Sequence, residues 1–534
     1  MRELPENYLG VAWNWFKTKY GLVLEDKIKI RGDVQIIELL IGQSKFKIIS
    51  PVTFNPNYDL SILQGLKVNA QFVGNEPMEL SKNKDNIIFK LKNHKKYICG
   101  VIDKKDLILG FDPFAFIYLT ISGILERELS NDVFLKLVKE PFLDSLSEII
   151  FRAIRHLIIN SGYPLVTKPF WPNNKQFALC LTHDVDEVRK TYQYFTRSLK
   201  FLRQFDFKGI INEFHSLINK LRKNDDPYWT FNDLINIEKE LNVRSSFYFL
   251  REHGRVNLFN RKTWRHIGRR YTFKHPEIVK LIRELNSNGW EVGLHGSFYS
   301  YTNFNMLKEE KKELEKALGS KVIGVRQHNL NLSIPETWRI HEALSFDYDT
   351  TLGSNKYVGF RWGTCFPFYP YDTVMNRFLK VLQIPLHIED IVIFRYQNPW
   401  ENCRLLIDKV KGYKGVLTIL WHHTVFNEVE YPNYAKLYID IIKLSKEKDA
   451  WVTNAAEISK WWRSRERFSP KIKYKKNIIQ IITEYSITPL KMKCESKNFT
   501  YSSEKTEIVK LNTSELLIHF RDCNDDPSQS QQWG

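Results

Sequence analysis

The chain has 534 residues, of which 43% are hydrophobic and 14% aromatic, and it carries a formal net charge of +18. This length exceeds what one ordinary hydrophobic core holds, so we expect two or three domains, and the apolar content excludes a disordered chain. Six cysteines without a Cys-x-x-Cys pair fit neither a disulfide framework nor a zinc-thiolate site, so we expect reduced thiols.

The N-terminal part, residues 1–167, is predicted to be an α+β domain of unknown role. Short β-type runs such as Lys27–Arg31 and Val34–Ile41 precede a helix predicted over Phe142–Asn160. The N-terminus has no apolar signal-peptide core, and the apolar run Phe114–Leu125 is too short to span a bilayer. We therefore expect the run Phe114–Leu125 to form a buried helix. We also expect no transmembrane segment and a cytoplasmic protein.

From residue 177 onward, short apolar runs alternate with helical patterns, which is typical of βα units around a parallel sheet. Helices are predicted over 233–241, 276–286 and 306–318. Alternation alone fits a closed barrel or an open doubly wound sheet. The seven candidate strands are Phe177–Thr182, Ser245–Leu250, Glu291–Leu294, Val322–Gln327, Phe346–Thr350, Val381–Leu386 and Val416–Trp421.

The domain that contains these strands is predicted to span residues 168–466. It begins with a polar, proline-containing stretch, residues 168–176, that reads as a boundary. Residues 467–523 return to short β-type runs and are predicted to form a small β module. Residues 524–534 are predicted to be a flexible tail.

Two carboxylates, Asp184 and Asp186, end the first of these strands. The i, i+2 spacing puts both side chains on one face, where two ionised carboxylates repel unless a cation or a proton lies between them. A metal site would resolve this repulsion. In isolation, the pair could equally cap the helix that follows.

Other ionisable residues also stand at carboxyl ends of the predicted strands. In a parallel barrel these ends meet at one edge, where catalytic groups converge. One histidine there is usually structural, but five such strand ends are hard to explain by packing, and together they favour a metallohydrolase. Besides the aspartates of the first strand, the residues are His295, Arg326, His328, Asp349, His422 and His423.

Four segments resemble the successive motifs of the NodB-like polysaccharide deacetylases, a family of metal-dependent carbohydrate esterases. The resemblance covers roughly residues 170–465 and suggests a divergent bacterial surface-polysaccharide branch with an extra N-terminal domain. The segments are Thr182-His-Asp-Val-Asp186, Gly293-Leu-His-Gly-Ser297, Gly324-Val-Arg-Gln-His328 and Leu420-Trp-His422.

This resemblance implies a distorted seven-stranded (β/α) barrel, which agrees with the strand count. It also implies a hydrolase that removes an N-acetyl group from an amino sugar with the help of a divalent metal, most simply Zn²⁺. Asp184 would be the general base and His422 the general acid. Asp186 and His295 would bind the metal, and Arg326 would keep Asp184 ionised and oriented.

The second motif departs from the family pattern. The family has a histidine four residues after His295, but this chain has Tyr299, and a neutral phenol is a poor ligand for a divalent ion. We expect His328 to be the third ligand, because it lies two residues after Arg326 on the same strand and faces the same side. Tyr299 remains a candidate substrate contact.

A basic segment, residues 255–274, follows the second strand on the predicted active-site side. It has no acidic residue, and its Arg269, Arg270 and Trp264 are candidate substrate contacts. The segment could be a solvated loop, or an anion clamp for a uronic-acid glycan or a lipid-pyrophosphate-linked sugar.

Several functions remain open at this point. The expected substrate is a glycan or a lipid- or nucleotide-linked amino sugar. The same barrel could act as an O-acetyl esterase or on other C–N bonds such as cyclic amides, or it could bind glycans without catalysis. Nucleic acid is not an expected partner, because only the net charge points to it and a generally basic surface explains that charge.

Overall fold

A computed structural model describes most of the chain. The described residues are 4–31, 34–41, 43–51, 80–83, 86–90, 98–109, 112–163, 165–223, 226–252, 259, 271–468, 471–475, 478–482, 493–495, 508–512 and 515–519.

The chain divides into two compact units. One comprises Gln176–Lys460, and the other comprises Met1–Lys175 together with Trp461–Gly534. The second unit thus includes both the predicted N-terminal α+β domain and the predicted C-terminal β module. The finer domain bounds, 1–167, 168–466 and 467–523, stay predictions, and the predicted tail 524–534 lies outside the described residues.

The N- and C-terminal unit contains a mixed seven-stranded sheet. In spatial order its strands are Glu25–Arg31, Val34–Ile41, Ser44–Pro51, Asp106–Leu109, Ile98–Asp103, Asn86–Lys90 and Leu80–Asn83. The helices of this unit before residue 165 are Tyr8–Tyr20, Pro113–Ile121, Ile124–Glu128, Asn131–Leu137 and Phe142–Asn160. The predicted long helix and the predicted buried apolar helix are therefore confirmed.

The same unit holds two smaller antiparallel sheets. One has four strands, in the order Lys471–Lys475, Ile478–Ile482, Glu515–His519 and Ile508–Asn512. The other pairs Lys493–Glu495 with Leu165–Thr167. A short β-type C-terminal segment was predicted from the sequence, and these strands confirm its β character.

The Gln176–Lys460 unit is built on parallel strands, as predicted. Their labels and bounds are β1 Phe177–Val185, β2 Ser246–Leu250, β3 Glu291–Gly296, β4 Gly324–Gln327, β5 Tyr348–Asp349, β6 Leu382–Gln383, β7 Ile388–Glu389, β8 Val416–Leu420 and β9 Ala450–Thr453. Each of the seven sequence-predicted strands appears among them. The strands β1 to β6 and β8 are buried along their whole length, which explains why they read as continuous apolar runs.

Strand pairing closes these strands into a ring. The order is β6-β5-β4-β3-β2-β1-β8-β7, with β9 beside the first half of β1. Both ends of this order lie in one extended stretch, residues 382–389, which we call the closing segment. The backbone N–H groups of Leu382, Ile384 and Leu386 donate to residues 347–352, whereas that of His387 donates to Thr418. The barrel, rather than the open sheet, is therefore the correct alternative.

Helices alternate with most of the strands along the chain. Their bounds are α1 Gln193–Arg203, α2 Phe207–Lys223, α3 Phe231–Glu240, α4 Pro276–Ser287, α5 Phe304–Leu318, α6 Glu336–Ala343, α7 Asp390–Ile393, α8 Pro399–Tyr413, α9 Tyr434–Glu447 and α10 Ala455–Arg467. Three of them, α3, α4 and α5, correspond to the helices predicted from periodicity. A two-stranded ribbon, Tyr371–Asp372 with Arg377–Phe378, lies between β5 and β6.

Two fully buried tyrosine side chains, one from β2 and one from β5, meet between the strands. The hydroxyl groups of Tyr248 and Tyr348 are 2.9 Å apart, and that of Tyr348 donates to Glu291 at 2.5 Å. Glycines at 293 and 324 leave room for the two rings, because a Cβ at Gly324 would overlap the Tyr348 hydroxyl. The interior is thus a packed core, and a site that a substrate could reach must lie at the strand ends.

None of the helices in the described part of the chain combines the length and the apolar character needed to cross a membrane.

Candidate metal centre and proton-transfer groups

The carboxyl end of β1 places Asp184 against Arg326 of β4. The two side chains are 3% and 0% exposed, and Nη1 of Arg326 donates to Oδ1 of Asp184 at 2.8 Å. The remaining donors of the guanidinium bond Thr182 at 2.8 Å and Thr350 at 2.9 Å. Each of the three guanidinium nitrogens of Arg326 therefore donates a hydrogen bond, and Asp184 is fixed in position.

Three residues from three segments converge beside this pair. One potential ligand atom each from Asp186, His295 and His328 lies within 4.8 Å of the others. Nε2 of His295 is 3.2 Å from Oδ1 of Asp186, and Nε2 of His328 is 3.8 Å from Oδ2 of the same carboxylate. The structure therefore brings together the three residues that the sequence predicted as metal ligands.

The hydrogen bonding of His295 tests whether a cation fits there. Its Nδ1 is 2.9 Å from the carbonyl oxygen of Arg326, and because a carbonyl only accepts, Nδ1 carries the proton. In the neutral ring, the lone pair on Nε2 then faces carboxylate oxygens of Asp186 at 3.2 Å and Asp184 at 3.5 Å. Converging lone pairs of this kind call for a cation, and one carboxylate with two imidazoles is a donor set that zinc accepts.

The electrostatics of His295 agree with this interpretation. Burial opposes a positive charge on the imidazole, but the Asp184 and Asp186 carboxylates outweigh burial and raise the pKa of His295. The site therefore attracts positive charge, whether a proton or a metal ion supplies it.

Tyr299 is largely exposed, whereas the two histidines of this group are buried. Its side chain is 55% exposed and packs edge-on against Phe298, with ring centroids 4.9 Å apart. The group that could bind a metal contains His328, as the sequence predicted.

His422, which follows β8, is held by a carboxylate. Its Nδ1 is 2.9 Å from Oδ1 of Asp390, and its backbone N–H donates to Oδ2 of the same residue at 2.6 Å. Burial would lower the pKa of His422, but Asp390, followed by Asp186 and Asp184, raises it to about 10. This imidazole is therefore protonated at neutral pH and its Nε2–H is available as a donor.

Two other ionisable residues at the strand ends have structural roles. Burial lowers the pKa of His423 to about 3, and its ring stacks on Phe231 with centroids 4.4 Å apart. Asp349 is fully buried, accepts from Trp338 Nε1 at 2.8 Å, and burial raises the pKa of its carboxyl to about 6. Packing thus explains two of the strand-end residues that the sequence grouped with the site.

The sequence analysis did not identify Asp390 and Glu252. Glu252 is 2% exposed, and its Oε2 lies 3.9 Å from Nδ1 of His328, where its charge can orient the imidazole. Both residues directly follow strand ends: Glu252 comes two residues after β2, and Asp390 comes one residue after β7. A carboxylate just after the end of each strand was the sequence pattern that could have identified them.

The remaining predicted substrate contacts, Trp264, Arg269 and Arg270, lie outside the described residues. The described end of their segment is anchored to the barrel. The Tyr271 hydroxyl donates to the carbonyl of Val185 at 2.5 Å and accepts from the N–H of Leu250 at 2.6 Å.

Comparison with known proteins gives three findings. No family model matches the sequence, and no curated relative matches it. Among solved structures, the chain is similar to a protein assigned as a polysaccharide deacetylase from Mycobacterium smegmatis, with 15% identity, coverage of 55% of this chain and 93% of that one, and a TM-score of 0.37.

Two further solved structures are similar to about half of the chain. A probable polysaccharide deacetylase from Pseudomonas aeruginosa has 12% identity, coverage of 56% and 94%, and a TM-score of 0.36. A CE4 family pseudoenzyme from Bacillus anthracis has 15% identity, coverage of 54% and 66%, and a TM-score of 0.27. Because these scores are below 0.5, the barrel assignment rests on the strand pairing described above.

Proposed function

We propose that the Gln176–Lys460 unit is a metal-dependent hydrolase that removes an N-acetyl group from an amino sugar of a surface glycan. The observation that carries this proposal is that a proton acceptor and a proton donor accompany one cluster of candidate metal ligands. Asp184 is a carboxylate ion-paired with Arg326 at 2.8 Å, and His422 is an imidazolium whose pKa Asp390 helps to raise to about 10. A proton acceptor and a proton donor are what amide hydrolysis requires.

The ligand cluster completes the chemistry. Asp186, His295 and His328 would hold a divalent cation such as Zn²⁺, which supplies Lewis acidity towards a carbonyl oxygen when bound. The residues of this chain then position the remaining groups. Arg326 fixes Asp184, and Glu252 faces the far nitrogen of His328 at 3.9 Å.

Proton transfer follows from the two fixed groups. Water attacks the acetyl carbon while Asp184 accepts a proton from it, and a C–O bond forms. The C–N bond then breaks as His422 donates its Nε2 proton to the departing nitrogen. The immediate products are acetic acid and a sugar amine, which become acetate and a sugar ammonium ion in water. Asp184 releases the proton that it accepted to the solvent and His422 takes one up, which restores both groups. Asp390 keeps the imidazole protonated and oriented between turnovers.

The choice of an N-acetyl sugar is supported by the four segments that resemble the deacetylase motifs. Their ionisable residues Asp184, Asp186, His295, Arg326 and His422 all lie at strand ends of one barrel. The basic segment 255–274 would suit an acidic or pyrophosphate-linked glycan. That assignment remains a proposal because Arg269, Arg270 and Trp264 lie outside the described residues.

Acetate release by the purified full chain tests the proposal. The substrates are N-acetylated and O-acetylated sugars, free, nucleotide-linked and lipid-linked, assayed with and without added zinc. Asp184→Asn and His422→Ala should each lower turnover by at least about 100-fold. His275→Ala, which removes an exposed histidine, should not change it. Release from O-acetyl sugars alone would favour an esterase, and no release from any substrate would overturn the proposal.

A further inference from the structure

A pair of helices inserted after β1 exposes an unusual amount of apolar surface. α1 and α2 form an antiparallel hairpin, and six of its large apolar side chains are between 54% and 81% exposed. We call them the hairpin surface: Phe195, Leu202, Phe205, Phe207, Ile211 and Phe214. A soluble domain rarely leaves so many aromatic residues of one element in water, so this surface indicates a partner.

The spacing of these residues places them on one face of each helix. Phe195 and Leu202 are seven residues apart on α1, and Phe207, Ile211 and Phe214 follow the i, i+4, i+7 pattern on α2. Each helix therefore presents its exposed apolar residues along one face.

At the tip of the hairpin, the aromatic side chain of Phe205 extends into solvent. Phe205 lies in the turn between the helices, is 81% exposed, and has a φ of 55°, a left-handed conformation that bulky residues seldom adopt. Gly209 lets the turn pack tightly, because a Cβ there would lie 2.7 Å from the Phe201 ring. The turn is thus held by local packing while Phe205 points away from it.

Buried ion pairs fix the hairpin to the barrel. Lys190, whose side chain is 0% exposed, pairs with Glu213 of α2 and with Glu430, each at 2.5 Å. Arg197 of α1 pairs with the same two carboxylates at 2.8 Å and 3.3 Å. Glu430 belongs to the loop that follows the candidate acid. The apolar residues therefore project from a rigid base and have a defined orientation relative to the barrel.

The charge of the hairpin identifies the kind of partner. Residues 193–223 contain seven lysines and arginines but only two acidic residues. Both acids have structural partners: Asp206 accepts from the N–H of Gly209 at 2.9 Å, and Glu213 is in the ion pairs described above. Two of the seven cations are also paired, Arg197 as described above and Lys220 with Asp226 at 2.8 Å. Arg203 and Lys208, on either side of the tip, are exposed. Aromatic residues flanked by cations match the interface of an anionic bilayer.

We propose that the hairpin surface docks on an anionic lipid bilayer, with its aromatic residues at headgroup depth and its cations against the lipid phosphates. A second copy of the chain is the other occupant of comparable shape. That arrangement would bring two cationic hairpins together, and their repulsion disfavours it. Docking of this kind is independent of the proposed hydrolase activity and would hold the barrel next to lipid-linked glycans.

Vesicle flotation of the full chain tests this proposal. The vesicles are phosphatidylcholine alone and phosphatidylcholine mixed with phosphatidylglycerol. The wild-type chain should float with the mixed vesicles, and increasing salt should weaken its binding. Phe205→Ser combined with Phe207→Ser should lower the partition coefficient at least about tenfold, because two aromatic side chains no longer insert.

Two further variants separate the contributions. Arg203→Gln with Lys208→Gln should remove most of the preference for phosphatidylglycerol. Val374→Ser with Met375→Ser is the matched control, because these residues are also exposed, by 77% and 51%, but belong to the two-stranded ribbon. This control should bind vesicles like the wild type. Circular dichroism verifies that each variant is folded.

Three outcomes would overturn the proposal. The first is a wild-type chain that does not float with the mixed vesicles. The second is a folded Phe205→Ser, Phe207→Ser variant that binds as well as the wild type. The third is a wild-type dimer in light scattering that this variant dissociates while vesicle binding is absent, which would assign the surface to a second copy. Acetate release is measured separately, so failure of docking would leave the hydrolase proposal untouched.

Discussion

Replacing Asp390 with asparagine should lower the pKa of His422 without removing its side chain. Asp390 is fully buried and lies 2.9 Å from Nδ1 of His422, whose side chain is 19% exposed. Two unit charges about 4 Å apart in an effective dielectric of about 20 interact by about 4 kcal/mol, which corresponds to about 3 pKa units. In Asp390→Asn this charge is lost, and only the more weakly acting Asp186 and Asp184 still oppose the effect of burial on the pKa of His422. We therefore expect the pKa of His422 to fall from about 10 to near or below 7.

The sign of the effect can be followed in two measurements. An acid acts only while it is protonated, so activity should be present below the pKa of His422 and disappear as the pH rises through it. The alkaline limb of the acetate-release profile should move down by about 3 pH units in the variant. Because the folded-state pKa is raised, this histidine also stabilises the wild-type fold fully below about pH 6.5, and this contribution disappears towards pH 10. The variant should lack that decline in stability between these two pH values.

Glu389→Gln is the matched control. It removes the carboxylate next to Asp390, which has no hydrogen bond to the imidazole and whose own pKa burial raises to about 7. This change should shift the pKa of His422 by less than about 1 unit. The titration can be measured directly in the imidazole NMR signals, with a His422→Ala spectrum used to assign the resonance. If the pKa in Asp390→Asn stayed within about half a unit of the wild-type value, the charge argument would be wrong.

Three further predictions follow from the barrel. His328→Ala should weaken zinc binding at least about 100-fold, as measured by metal content after dialysis, whereas Tyr299→Phe should leave it unchanged; the reverse result would refute the ligand assignment. Arg326→Met should lower the free energy of unfolding by about 3–5 kcal/mol in denaturant titrations, because it leaves the buried Asp184 carboxylate without its cation. Arg326→Lys should recover part of this loss. Equal stability of the wild type and both variants would contradict the argument. Gly324→Ala should cost about 1–3 kcal/mol, because its Cβ would lie 2.1 Å from the Tyr348 hydroxyl oxygen and 2.2 Å from the ring carbon that bears it. Thermal unfolding measures this cost, and unchanged stability would contradict the packing argument.

The barrel strands could be predicted from the sequence because they are buried on both faces. Such strands appear as uninterrupted apolar runs, and all seven were located within a few residues of their observed bounds. The alternation of strands and helices could not predict closure of the sheet, since closure depends on which neighbours the N–H groups of residues 382–389 bond. The barrel was predicted from the resemblance to the deacetylase motifs. Pro385 hides this segment further, because a residue without an N–H interrupts the strand pattern.

The same interruption explains why Asp390 was missed. The sixth strand was predicted to end at Leu386, so the carboxylate four residues later was not regarded as a strand-end residue. His328 could be predicted, because its position relative to Arg326 depends only on the two-residue repeat of a strand. Positions set by local geometry were therefore accessible from the sequence, whereas pairings between distant segments, such as Asp390 with His422, were not.

The closing segment links completion of the fold to assembly of the proton donor. Residues 382–389 pair with strands on both sides and so complete the strand ring. Asp390 follows directly and accepts hydrogen bonds from the backbone N–H and the ring of His422. A partly folded chain in which this segment is detached would keep the Asp184–Arg326 pair but would have no oriented imidazolium. Slow amide hydrogen exchange at Ile384 and His387 would therefore report on the fraction of molecules that are competent to protonate a leaving group.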